Sequence, residues 1–428
     1  MPMQISVIAR KVFRVVLVLL GLIILYVAFL WLRPDEALNP AAKAFYQVQA
    51  APIPDERNAT LALSGITAPA GVDVIGHGKR IKKIYTDTRD PKSAWEQVRL
   101  LGSHDFVYPP EVECWLDSSA LKGVNENKCV SAERLAGIIH ESPHLARYKQ
   151  IQNMTQFEPR AIFRGHILIS LNKFLHAEIL LDLQQGRAEI AYQKWRSNHM
   201  FLNRLSAAGG TWVITAINLV NESLSFAMLD DLLRRAPMLV VAHEEELTQM
   251  LARKDIEHFN LDEIMRAEEE IVRDDSNPIL DAFKRPNYQT NRQYDYAQAF
   301  LRAARTEPAN VARSVNALTS KYGDLSFASL DYTNLINGIL SQLYIRGQIK
   351  TGELLSSMHS KIAMQRLNML RIQIVKAKKS DAEIDAFLQA SSPELRNPFD
   401  GKPMRWDASQ RTIAASVPGK EWNYEINL

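Results

Sequence analysis

The chain has 428 residues, with 51 Lys and Arg against 48 Asp and Glu, a formal net charge of +3 and 46% hydrophobic residues. That apolar content suits a folded globular protein and excludes a disordered stalk. Residues 1–32 hold three of the cations and no acid, so the remaining 48 cations and 48 acids cancel, and nothing suggests the concentrated basic face that nucleic-acid binding needs.

An uninterrupted apolar run of 18 residues, VVLVLLGLIILYVAFLWL at 15–32, follows Arg10, Lys11 and Arg14. At about 1.5 Å per residue it reaches roughly 27 Å, close to the hydrocarbon thickness of a bilayer. Tyr26 and Trp31 are amphipathic, and Trp31 stands where an interfacial anchor belongs. The flanking cations place residues 1–14 in the cytoplasm and everything after Arg33 outside. The alternative is a cleaved signal peptide. Cleavage needs small residues after the apolar region, whereas the exit here reads FLWLRPDE, so an uncleaved anchor is expected.

Residues 33–130 are rich in Pro and Gly, with prolines at 34, 40, 52, 54, 69, 91, 109 and 110. This composition predicts a spacer followed by extended and turn structure. The two cysteines, Cys114 and Cys129, are expected to form a disulfide if exported to an oxidising space. It would close a loop of about 15 residues, worth roughly 3 kcal/mol. There is no Cys-x-x-Cys and no His at zinc-finger spacing, so no metal or other cofactor is expected.

From 131 to 390 the pattern is helical. Ser131 opens a short helix that ends at Pro143, and 144–153 forms a second. A long helix is expected from Glu158-Pro159 to Gln185, carrying Phe163, Ile167, Leu171, Phe174 and Leu181. A helix apolar on most sides is a central one, and Gly186 stops it as a C-cap residue. Its partner starts at Arg187 with the stripe Ala191, Trp195, Leu202 and Leu205. Gly209-Gly210 breaks that helix, and 212–235 follows. This third helix is apolar enough to rival the first as a span. However, Asn218, Asn221, Glu222, Asp230 and Asp231 would have to enter lipid, at roughly 2 kcal/mol or more for each acid, so a buried core helix is expected.

Antiparallel hairpins with short Gly turns are the grammar of helical bundles. Acidic amphipathic helix material at 237–275 precedes helices expected at 291–305, 308–320, 330–348 and 353–378. The last carries Lys361, Arg366, Arg371 and Lys376. These form either a solvated face on a helix packed through Ile362, Leu367, Leu370 and Ile374, or a surface for anionic lipid head groups. The tail, 391–428, has strand-like runs at 402–406 and 411–417 that predict a β-hairpin. The expected fold is mainly α: a transmembrane helix, an irregular bundle of antiparallel helix hairpins, and a small C-terminal β-hairpin.

Three segments carry a resemblance: NATLALSGITAPAGVD at 58–73, PHLARYKQIQ at 143–152 with the helices to Arg235, and NPFDGKPMRWD at 397–407. Together they resemble a family of uncharacterised proteobacterial single-pass membrane proteins with a helical periplasmic domain. The resemblance implies a bacterial inner-membrane anchor and a periplasmic body, with no activity to carry over.

Catalytic signatures are missing. His243-Glu244-Glu245-Glu246 begins like a zincin helix, but Leu247 occupies the place of the second His. No nucleophile elbow, Walker A loop, Gly-x-Gly-x-x-Gly or Asp-x-Asp occurs. One polar constellation stands out: Asn218 and Glu222, four apart on an apolar helix, with Asn221 and Ser225 beside them. A buried carboxylate is costly unless paired. The plain reading is a satisfied core network with Arg164, His166 or His176 of the neighbouring long helix. The sharper one is a ligand pocket or catalytic carboxylate. The expectation is therefore a non-enzymatic, membrane-anchored binding or scaffolding protein with an envelope protein as partner, such as a toxin or secretion component. An envelope hydrolase acting on peptidoglycan or lipid through Glu222 is the alternative.

Overall fold

The computed structural model describes residues 2–48, 51–88, 90–102, 106, 108–117, 129–158, 164–252, 256–273, 284–306, 308–326, 337, 339, 341–342, 345, 351–417 and 423–428. The described chain is mainly helical and divides into two units. One comprises 1–49, 268–304 and 313–351; the other comprises 50–267, 305–312 and 352–428.

Helix α1 runs Pro2–Leu32. Its segment Lys11–Leu32 has a mean hydropathy of 3.0 and is buried on no side, as a helix long and apolar enough to cross a bilayer would be outside lipid. The expectation of extended structure over 33–130 is corrected. That stretch holds α2 (Pro40–Tyr46), α3 (Ala59–Ser64), α4 (Val74–Asp87), α5 (Pro91–Leu100) and α6 (Pro110–Asp117). Pro40 and Pro91 occupy first-turn positions, where the missing N–H costs nothing, so they start helices rather than break them. Asn39, Asn58, Asp73 and Asp90 cap the helices that follow them with side-chain oxygens.

Two glycines in this stretch, Gly65 and Gly78, are packing devices. A β-carbon on Gly65 would fall on the carbonyl oxygen of Val74, and one on Gly78 on that of Leu61. Helices α3 and α4 thus meet backbone to backbone. Cys114 on α6 and Cys129 form a disulfide with Cα atoms 5.5 Å apart, and the Trp115 indole donates to the carbonyl of Val130 at 3.0 Å beside it.

Helices α7 (Ala132–His140) and α8 (Pro143–Ile151) precede the central hairpins α9 (Gly165–Gln184), α10 (Ala188–Ala208) and α11 (Trp212–Arg235). The long helix therefore begins at Gly165 rather than at 158; Phe163 lies outside the described residues. Gly186 terminates α9 with φ +73°, and the Arg187 amide donates back to the Asp182 carbonyl at 2.8 Å, closing a tight antiparallel turn. Leu171, Phe174, Trp195, Phe201, Phe226 and Leu229 fill the core between these three helices.

Next come α12 (Met238–Ala242), α13 (Glu244–Leu251), α14 (Leu261–Arg273), α15 (Pro286–Ala304) and α16 (Val311–Tyr322). In the unit that holds α1, Tyr296 of α15 stands edge-on to Tyr322 at 5.6 Å, and its hydroxyl is 3.1 Å from that of Thr319. The helix expected at 330–348 lies almost wholly outside the described residues. Helices α17 (Thr351–Lys376) and α18 (Asp381–Gln389) then lead to the sheet.

The sheet has three antiparallel strands in the order β1 (Arg405–Asp407), β2 (Thr412–Ser416) and β3 (Asn423–Asn427). Trp406 pairs with Ile413, and Ile413 with Ile426. The expected hairpin thus gains a third strand, whose five residues alternate too briefly to declare themselves in sequence. Leu367, Leu370, Ile384, Leu388, Ile413 and Ile426 make a second core under this sheet.

Candidate functional site

Of the polar side chains singled out on α11, Asn221, Glu222 and Ser225 each meet a different neighbour. Asn221 accepts from the Asn172 amide at 2.9 Å. Asn172 accepts from Asn198 at 2.7 Å, and Asn198 accepts from the Tyr148 hydroxyl at 2.7 Å and from Gln152 at 2.9 Å. This seam links α8, α9, α10 and α11 through buried side chains. Burial pushes the Tyr148 hydroxyl above its ordinary value, so it stays a neutral donor.

Glu222 is 1% exposed and accepts from the Ser206 hydroxyl at 2.6 Å. Ser225 faces His199, with Oγ 3.1 Å from Nδ1, and its carbonyl accepts from the Trp195 indole at 2.9 Å. The Asn218 side-chain oxygen is buried and meets no donor among the described residues.

The expected partners from the long helix are corrected. His166 is exposed on the first turn of α9, away from this seam. Arg164 donates to Thr67 and lies over the Trp95 ring at 5.2 Å. His176 is buried but binds Asp231 at 2.8 Å, not Glu222. Burial alone would raise the Asp231 carboxyl; His176, Arg234 and Arg235 hold it below its ordinary range instead. Glu222 and Ser225 find their partners on α10, in Ser206 and His199, while the long helix supplies Asn172 to Asn221 instead of the residues expected.

The basic residues of α17 also behave differently from the expectation. Arg371 is 3% exposed and donates to Asp230 at 2.6 Å. Lys361 is buried and donates to Ser223, and half-buried Arg366 caps the carbonyl of Arg396 at 2.7 Å. Lys376 is exposed, paired with Glu244 at 2.6 Å. Lys361 and Arg371 face protein, so they form neither a solvated stripe nor a lipid-facing one. Burial draws the Arg371 guanidinium below its ordinary value, and the Asp230 carboxylate opposes that shift.

Two open clefts lie elsewhere in the same unit. One, of about 520 Å³, runs beside α4 and is balanced in charge. There Lys79 pairs with Asp55, and Lys82 with Glu158, which also accepts from Asn58 at 3.3 Å. The other, of about 400 Å³, lies among α7, α8, α9 and α10. Glu178 and Asp182, one turn apart on α9, form its floor, and Lys149, Arg187 and Lys194 ring them. Two acids at i and i+4 on an otherwise apolar helix were the available sequence signal for this cleft. Glu222 lines neither cleft. Among the described residues no three His, Cys, Asp or Glu side chains gather as a metal site.

A further polar cluster joins the end of α1 to the start of α15. The Arg285 guanidinium donates to the carbonyls of Leu30 and Trp31 at 2.8 and 3.0 Å, the last turn of α1. Reciprocally, the Asp35 carboxylate accepts from the amides of Asn287 and Tyr288 at 2.8 and 3.2 Å, the first turn of α15. Asn291 donates to the Ala37 carbonyl at 3.0 Å, and its own side-chain oxygen accepts from the Asn39 amide at 2.8 Å. Each helix end thus receives the charge its dipole favours: a cation at the carbonyl end and an anion at the amide end. The contacts span some 250 residues of sequence, which hid them from a local reading.

No protein-family model, curated protein or solved structure matches this chain.

Proposed function

We propose that this chain is a single-pass bacterial inner-membrane protein whose helical, periplasmic part binds or scaffolds another envelope protein without catalysing a reaction. The three cations ahead of the apolar segment support a cytoplasmic N-terminus. The observation that carries the reading is the double clamp between α1 and α15. An enzyme acting on a soluble, diffusing substrate needs only a flexible linker. Here residues 35–39 are held along α15 through Asp35, Asn287 and Asn291, and Arg285 holds the carbonyls of Leu30 and Trp31 just before them. Such a junction fixes α15 at the point where the chain leaves the lipid, which suits a protein that presents a surface at a set height and angle.

The hydrolase reading has less support. Glu222 is shut in the core with Ser206, and a substrate would have to unpack α10 from α11 to reach it. Photo-crosslinking from exposed positions of α15 in intact envelopes tests the proposal. A discrete protein adduct is expected, and it should weaken when Asp35→Ala and Arg285→Ala together release the junction. Uniform labelling of abundant proteins, unchanged by those substitutions, would defeat it. A C-terminal reporter active only outside the cytoplasm checks the orientation.

A further inference from the structure

We infer that the cleft among α7, α8, α9 and α10 binds a phosphate group through Lys149, Arg187 and Lys194. Three permanent cations line it against two carboxylates, Glu178 and Asp182, so one positive charge is left without a counterpart among the lining residues. The cleft beside α4 shows the contrast, since its three lysines face three acids.

The geometry is that of a held cationic ring. Lys149 and Lys194 place their ammonium groups on the same oxygen of Glu178, at 2.6 and 2.7 Å. Lys194 also donates to Asp182, and Arg187 approaches Asp182 through Nε at 3.0 Å. The acids are the buried members of the cluster, with side chains 9% and 1% exposed, whereas the cations open to the cleft at 36%, 22% and 47%. Buried carboxylates here act as struts that hold the cationic ends in place, and each cation keeps N–H donors beyond those spent on the acids. Donors arriving from α8, from the α9–α10 turn and from α10 suit an anion with three or more oxygens better than a two-oxygen carboxylate. The cleft's size fits a small phosphate ester, with Ile139 and Leu181 available to its carbon part.

The assignment does not depend on the scaffolding reading. The phosphate could belong to a soluble ester or to a lipid head group, and the test separates them. Full-length protein in non-ionic detergent is titrated calorimetrically with inorganic phosphate, and with acetate and chloride at matched ionic strength. Saturable heat is expected with phosphate alone. Lys149→Gln and Arg187→Gln, each removing a rim cation while leaving Lys194 on both acids, should weaken binding about tenfold apiece. Thermal melts show that the variants remain folded. Displacement by monomeric short-chain phosphatidylglycerol, in preference to glycerol phosphate, identifies a lipid source; the reverse order identifies a soluble one. No saturable phosphate heat, equal binding of acetate, or unchanged affinity in both variants would overturn the inference.

Discussion

His359 on α17 is 5% exposed, and its ring Nε2 meets no hydrogen-bond partner among the described residues. Burial, then the nearby Arg366, pushes its pKa down to about 4. The folded protein therefore refuses a proton that the unfolded chain accepts near 6.5. Stability is full above pH 6.5 and falls as the pH drops toward 4, because the unfolded state binds more protons in that window. The loss attributable to this group is about 3 kcal/mol at most, and His359→Gln should remove it. Denaturant melts of both proteins at pH 7 and pH 4.5 check this, the expected outcome being a smaller pH difference in the variant. Asn172 sits in the polar seam and serves two other asparagines at once. Asn172→Ala leaves a buried donor on Asn198 and a buried acceptor on Asn221 unmet, and should cost about 2–4 kcal/mol. A loss under 1 kcal/mol would mean the seam relaxes around the gap.

At the scale of elements, the crossing of α3 and α4 is the most demanding contact. A methyl group on Gly78 would stand 2.0 Å from the Leu61 carbonyl oxygen, which is backbone and cannot swing away. Gly78→Ala should therefore destabilise by about 1–3 kcal/mol, although alanine is the better helix former. Thermal melting of the variant decides between the two effects, since propensity alone would raise the midpoint. This crossing also explains why a Pro- and Gly-rich stretch reads as turns yet folds as helices. Proline at a first turn and glycine at a close approach use the same residues that a loop uses. Asn58 and Asp73 were the local clue, as caps standing just before each helix. The hairpin of α9 and α10 was legible for the opposite reason: a single Gly186 between two apolar periodicities has few other uses.

At the scale of the molecule, the clamp between α1 and α15 couples a membrane-length helix to its own unit. Asp35→Ala removes an acceptor shared by two amides and should loosen the first turn of α15 by about 1 kcal/mol, or roughly fivefold in hydrogen exchange at Asn287 and Tyr288. Arg285→Ala should loosen the same amides although it touches α1, because both halves hold one junction. Exchange measured by mass spectrometry in detergent or nanodiscs reads this out. Independent, purely local effects of the two substitutions would show the ends to be uncoupled.

The sequence by itself determined the features whose physics is local. These are an apolar run long enough to span a bilayer, a charge surplus confined to its flank, Gly186 as a helix stop, and 212–235 as a helix too polar for lipid. Tertiary structure decided which groups meet. It gave Glu222 to Ser206, His176 to Asp231, Arg371 to Asp230 and the end of α1 to Arg285. Periodicity places a side chain on a face of its helix, but its partner depends on which helix packs against that face. That choice is made by the whole core at once, across separations of up to some 250 residues.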